Sequence, residues 1–120
     1  MNITEDYVSY EVAKLLEEKG FDEKTLSYYE DNVLCRGDWF EWNRSPLGHI
    51  SAPTHQMAMK WLRKVHSLHI QINYMYGAYQ EYDYVVINTF SGIRCHEPIS
   101  FSSYEEAVEA ALKYSLENLI

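Results

Sequence analysis

The hydrophobic period of the chain changes several times, and each change marks the edge of an element. Over residues 9–19, Val12, Ala13, Leu15 and Leu16 recur at helical spacing. Ser9 stands where the free amides of a first turn need an acceptor, and Gly20 supplies a left-handed stop onto which Phe21 folds back. The spacing predicts a helix there, with Thr4, followed by Glu5 and Asp6, as a competing cap. Residues 25–42 are aromatic and β-friendly. Asp31-Asn32 reads as the turn of a hairpin between strands over 26–30 and 33–36, and Gly37-Asp38 interrupts the pattern before Trp39, Phe40 and Trp42. Residues 43–53 hold Pro46, Gly48 and Pro53 and no clear period, so they read as a loop long enough to carry function.

Thr54 caps a second helix, with Pro53 just outside it. At about 100° per residue, Met57, Ala58, Trp61, Leu62 and Val65 fall on the side to be buried, while Gln56, Lys60 and Arg63 face away. The period then drops to two: Leu68, Ile70, Ile72, Tyr74 and Tyr76 alternate with His69, Gln71, Asn73 and Met75, the pattern of a half-buried strand. Residues 77–80 make a short turn, 82–90 a second strand, and Ser91-Gly92 a turn into a third over 93–96, closed off by Pro98. Ser103 caps the last helix, with Glu106 completing a capping box. Tyr104, Val108, Ala111, Leu112, Ser115, Leu116 and Leu119 line its apolar face, and Glu109 and Lys113 pair outside. The expected order is α-β-β-α-β-β-β-α. That is an α+β fold, an antiparallel sheet with three helices packed largely on one face.

A length of 120 residues, 47% hydrophobic and 23% charged, predicts one globular domain spanning residues 1–120. A chain of this size holds a core without disulfide or metal, and Cys35 and Cys95 lack any CxxC partner, so both are expected as free, partly buried thiols. The start has no basic stretch followed by an apolar run, and no 18-residue apolar segment occurs; the expected location is the cytoplasm, with no membrane span.

Charge alters this picture more than composition does. The net charge is −8, yet residues 42–80 contain no Asp or Glu, carry Arg44, Lys60, Arg63 and Lys64, and hold four of the five histidines. Residues 1–41 carry four basic against eleven acidic side chains, and residues 81–120 two against seven. An electropositive centre therefore lies between acidic flanks, and the overall charge argues against nucleic acid as a partner.

The segments SAPTHQMAMKWLRKVH (51–66) and YEEAVEAALKYSLENLI (104–120), with VSYEVAKLLEEKGFDE (8–23), resemble a group of small uncharacterised proteins from phage-like and mobile regions of gut anaerobe genomes. The resemblance covers the three helices. It implies an accessory protein of mobile-element type and carries no activity or site residue with it.

No motif points to catalysis, a cofactor or a metal. His55 and His66 lie eleven residues apart, about 16 Å along a helix, and cannot share an ion. Cys95 and His96, adjacent on a strand, point to opposite faces. Five of the eleven tyrosines fall between residues 74 and 84, which suits either cross-strand pairs or an exposed recognition surface. The remaining candidates are binding residues: Trp39, Trp42, Arg44, Thr54, His55, Lys60, Arg63 and Tyr79. They suggest a non-enzymatic accessory or inhibitor-like protein that binds a protein partner through its electropositive centre. The alternative is capture of an anionic metabolite at the N-terminus of the second helix, where unpaired amides and partial positive charge gather. A homodimer joining the positive centre of one chain to an acidic flank of another also fits.

Overall fold

The computed structural model describes residues 3–77 and 80–120. Among them the elements are α1 (Tyr10–Glu18), β1 (Thr25–Glu30), β2 (Val33–Phe40), a 3-10 turn (Trp42–Arg44), β3 (Ile50–Ser51), α2 (His55–His66), β4 (Leu68–Met75), β5 (Glu81–Asn88), β6 (Arg94–Cys95) and α3 (Tyr104–Asn118). The fold is α+β with antiparallel pairing throughout, as expected, but the strands form two three-stranded sheets, β2-β1-β3 and β4-β5-β6, rather than one. The chain divides into two compact units, residues 1–58 and 59–120, with the division inside α2.

In the first unit α1 begins where Ser9 accepts the Val12 amide at 3.2 Å, so the Thr4 cap is not used. It ends in a Schellman arrangement: Gly20, at φ +90°, donates to the Glu17 carbonyl, and Phe21 donates to the Leu16 carbonyl. Val12, Ala13, Leu16 and Phe21 are buried. Asp31 and Asn32 both take positive φ, which makes the β1-β2 turn a two-residue type I′ hairpin closed by the Glu30-Val33 pair.

Two expectations are refined here. Gly37-Asp38 disturbs the pairing without ending the strand; β2 continues to Phe40, and the register shift between Thr25↔Phe40 and Ser27↔Arg36 absorbs the extra residues as a bulge. Residues 43–53 are a loop only in part, since a 3-10 turn takes in 43–44 and β3 takes in 50–51. Ile50 and Ser51 pair with Tyr29 and Tyr28, the Ala52 amide donates to the Ser27 carbonyl, and the Val8 amide donates to the Pro53 carbonyl. Their backbone groups are thereby satisfied in a segment where Ser51, Ala52 and Pro53 are buried.

α2 runs from one unit into the other. Its buried residues are His55, Ala58, Met59, Trp61 and Leu62, whereas Val65 is 56% exposed. Ala58, Trp61 and Leu62 are buried as the spacing implies, but Met57 is only half-buried and Val65 is exposed, and the buried side takes in His55 and Met59 as well.

In the second unit β4 and β5 pair in unbroken register from Leu68↔Asn88 to Met75↔Glu81, and α3 packs on both. Tyr84, Val85 and Val86 are buried in succession, so the middle of β5 is covered on both faces. Burial fades along β4: Leu68 and Ile70 are buried, Tyr74 is half-exposed, and Tyr76 lies beyond the strand in solvent. Tyr74 instead joins a row of rings, 5.1 Å from Tyr82, which meets Tyr104 at 6.1 Å. The expected turn at 77–80 lies partly outside the described residues. β5 and β6 are shorter than expected, because the segment after Asn88 turns on hydrogen bonds from the Gly92 amide to the Asn88 carbonyl and from the Asn88 amide to the Ile93 carbonyl. Ser103 caps α3 by accepting the Glu106 amide at 3.1 Å; the Glu106 carboxylate takes the Ser102 hydroxyl, so the capping box closes through a neighbour. Ala107, Val108, Ala111, Leu112, Ser115 and Leu116 are buried as one face, and Tyr104 stays exposed at its edge.

Candidate interaction surface

The segment after β2 is built around Trp42. Its indole Nε1 donates to the Thr25 carbonyl at 2.9 Å, and its ring stacks on Tyr28 at 4.2 Å and meets Phe40 at 5.1 Å and His49 at 5.3 Å. Gly37 makes this possible. A Cβ there would lie 2.7 Å from Trp42 Cζ2 and 2.9 Å from Tyr28 Cε1, so the glycine belongs to the ring cluster and not to a strand break. Asn43, next in the 3-10 turn, closes the segment: its side chain accepts the Ser51 amide at 2.7 Å and donates to the Phe21 carbonyl at 2.9 Å, while its own amide donates to Ser51 Oγ. His49 is buried beneath the rings, with Nε2 3.9 Å from the Glu30 carboxylate. Burial, with Cys35 and Glu30 adjacent, pushes the Tyr28 hydroxyl above its ordinary pKa.

The proposed binding residues divide accordingly. Trp42 is a half-buried anchor, whereas Trp39, three residues back on β2, is 53% exposed. Arg44 projects from the 3-10 turn with its side chain mostly in solvent and a loose 3.7 Å contact to Glu41. Thr54 and His55 act in the fold. Thr54 Oγ1 accepts the Met57 amide at 3.2 Å, its carbonyl accepts the Ala58 amide, and the His55 amide donates to the Asp6 carbonyl at 2.8 Å, with the His55 side chain buried. Lys60 and Arg63, in the second unit, are exposed beside Lys64, and among the described residues none of the three makes an ion pair. Tyr79 lies outside the described residues.

Sequence reasoning passed over Val33, Leu34 and Phe40, which with Trp39 leave β2 between 43% and 60% exposed at four large apolar positions. β2 is the terminal strand of its sheet and is exposed on both faces, so no alternation marks it. The run of apolar residues around the turn was the available signal. Of the described tyrosines only Tyr84 is buried, its hydroxyl donating to Glu97 at 2.5 Å. Cys35 and Cys95 are free and half-buried, as expected. Among the described residues no three His, Cys, Asp or Glu side chains gather as a metal site, and no helix is long and apolar enough to cross a membrane.

These features define an α+β protein with an apolar sheet edge in one unit and a basic helix face in the other. Comparison with protein-family models, curated proteins and solved structures finds no match to this chain.

Proposed function

We propose that the protein acts by binding another protein, as a non-enzymatic accessory or inhibitor-like factor of mobile-element type working in the cytoplasm. The observation that carries this reading is the exposed stripe of Lys60, Arg63 and Lys64, which no described carboxylate neutralises. On a chain of net charge −8 this cationic face is the part that an acidic protein surface can approach without repulsion. Anion capture at the start of α2 has less to work with. The His55 and Met57 amides, which such a ligand needs, already serve Asp6 and Thr54.

The test is affinity capture of the tagged protein from native lysate at low and high salt, run beside Lys60→Glu/Arg63→Glu. A protein retained at low salt, lost at high salt and absent with the variant supports the reading. Capture indifferent to both salt and variant removes the basic stripe as the interface. Melting shifts with phosphates and nucleotides, lost in Arg63→Glu, restore the metabolite reading.

A further inference from the structure

We infer that β2 is a self-complementary edge through which two copies of this chain pair antiparallel about a two-fold axis at Gly37. β2 is terminal in β2-β1-β3, and its large apolar side chains lie open. Its backbone is correctly presented. Closing a two-residue hairpin at Glu30↔Val33 turns the amides and carbonyls of Val33 and Cys35 toward β1, and therefore those of Leu34 and Arg36 toward the open edge.

The sequence Val33–Phe40 chooses the occupant. Laid antiparallel on itself about Gly37, it sets Leu34 opposite Phe40 and Cys35 opposite Trp39 of the second copy. It also sets Arg36 opposite Asp38, twice by symmetry. Protective charges on a sheet edge work by meeting like charge when two edges approach. Here the charges differ in sign and stand one on each side of the axis, so the same approach matches them. Neither makes an ion pair within the described chain. Gly37 puts no side chain at the axis, and its space on the ring side is already filled by Trp42 and Tyr28. The bulge adds two residues between Arg36 and Phe40, an even number, so Arg36 and Phe40 still stand opposite alternate residues of β1, Ser27 and Thr25.

The pairing is independent of the basic stripe, so Lys60→Glu/Arg63→Glu should leave it intact. Sedimentation velocity across a concentration series should show a reversible dimer of the wild type. Asp38→Arg, which faces arginine with arginine at both places, should weaken it about tenfold or more. Arg36→Asp/Asp38→Arg restores opposite charges and should return the dimer to within about threefold of wild type. Amide exchange should show Leu34 and Arg36 protected in the dimer and open in Asp38→Arg. A wild type monomeric throughout, with those amides exchanging freely, overturns the proposal and leaves the edge to a strand of another protein. A dimer unaffected by Asp38→Arg, a charge swap that fails to restore it, or a dimer with both amides unprotected, overturns it as well.

Discussion

Asn43→Ala tests whether the stretch after β2 is held shut by one side chain. The asparagine satisfies two groups on different parts of the chain, the Ser51 amide at 2.7 Å and the Phe21 carbonyl at 2.9 Å, on residues that are 1% and 2% exposed. Alanine leaves both without their partner, and each stranded group costs about 1 to 3 kcal/mol. Asn43 is only half-buried, so water reaches one of them, and a total of about 2 to 4 kcal/mol is expected. With a urea slope of about 2 kcal/mol per molar, that lowers the midpoint by about 1 to 2 M, read by fluorescence because Trp42 adjoins the substituted residue. Asn43→Asp keeps an acceptor for Ser51 but sets a carboxylate oxygen against the Phe21 carbonyl. It should therefore not rescue the loss. A shift below about 0.3 M for the alanine variant means that β3 and the 3-10 turn are held by other contacts.

Gly37→Ala should cost about 1 to 3 kcal/mol by forcing the Trp42 and Tyr28 rings apart, with a change in indole emission; unchanged emission and stability mean that the rings do not occupy that space. Leu112→Ala, at a fully buried position of α3, should cost about 2 to 5 kcal/mol in urea unfolding, and a midpoint that hardly moves takes α3 out of the core. Burial, reinforced by the hydrogen bond to Glu97, raises the Tyr84 pKa far above its unfolded value of about 10. The folded state therefore holds this proton more tightly. Its stabilising contribution is complete below about pH 10 and is lost as pH rises above it, so urea midpoints should fall more steeply on the alkaline side for wild type than for Tyr84→Phe. Parallel profiles contradict that assignment.

The helices were legible because their caps and stops are local. Ser9, Gly20, Thr54 and Ser103 act within a few residues of themselves, and each does in the structure what its position implies. The Asp31-Asn32 turn was legible for the same reason. What was missed depends on partners distant in sequence. Asn43 reads as a loop residue until Ser51 and Phe21 are placed beside it, and Gly37 reads as a breaker until Trp42 covers it. His55 reads as a polar helix residue but is buried, while Val65, expected on the buried side, is exposed. Pro46, Gly48 and Pro53 mark an absence of period, which is not an absence of order, since side chains and short pairings can satisfy a backbone without repeating.

The basic stripe lies between these cases. Pairing along a helix requires a carboxylate three or four residues away, and residues 42–80 contain none, so Lys60, Arg63 and Lys64 could be neutralised only by a carboxylate from elsewhere in the fold. That outcome was open in the sequence, because acidic residues are abundant on both flanks. In the structure no described carboxylate reaches the stripe. Internal charge balance through ion pairs therefore does not account for these cations. What remains is a field directed at solvent, strongest toward an acidic approaching surface and weakened by salt. It follows that Arg63→Glu should alter binding with little effect on folding, whereas Thr54→Ala, which removes the acceptor of the Met57 amide, should lower stability by about 1 kcal/mol and leave the charge-dependent binding in place. If Thr54→Ala instead abolishes capture in a protein that still melts cooperatively, the start of α2 is itself a contact, and the interface extends beyond the stripe.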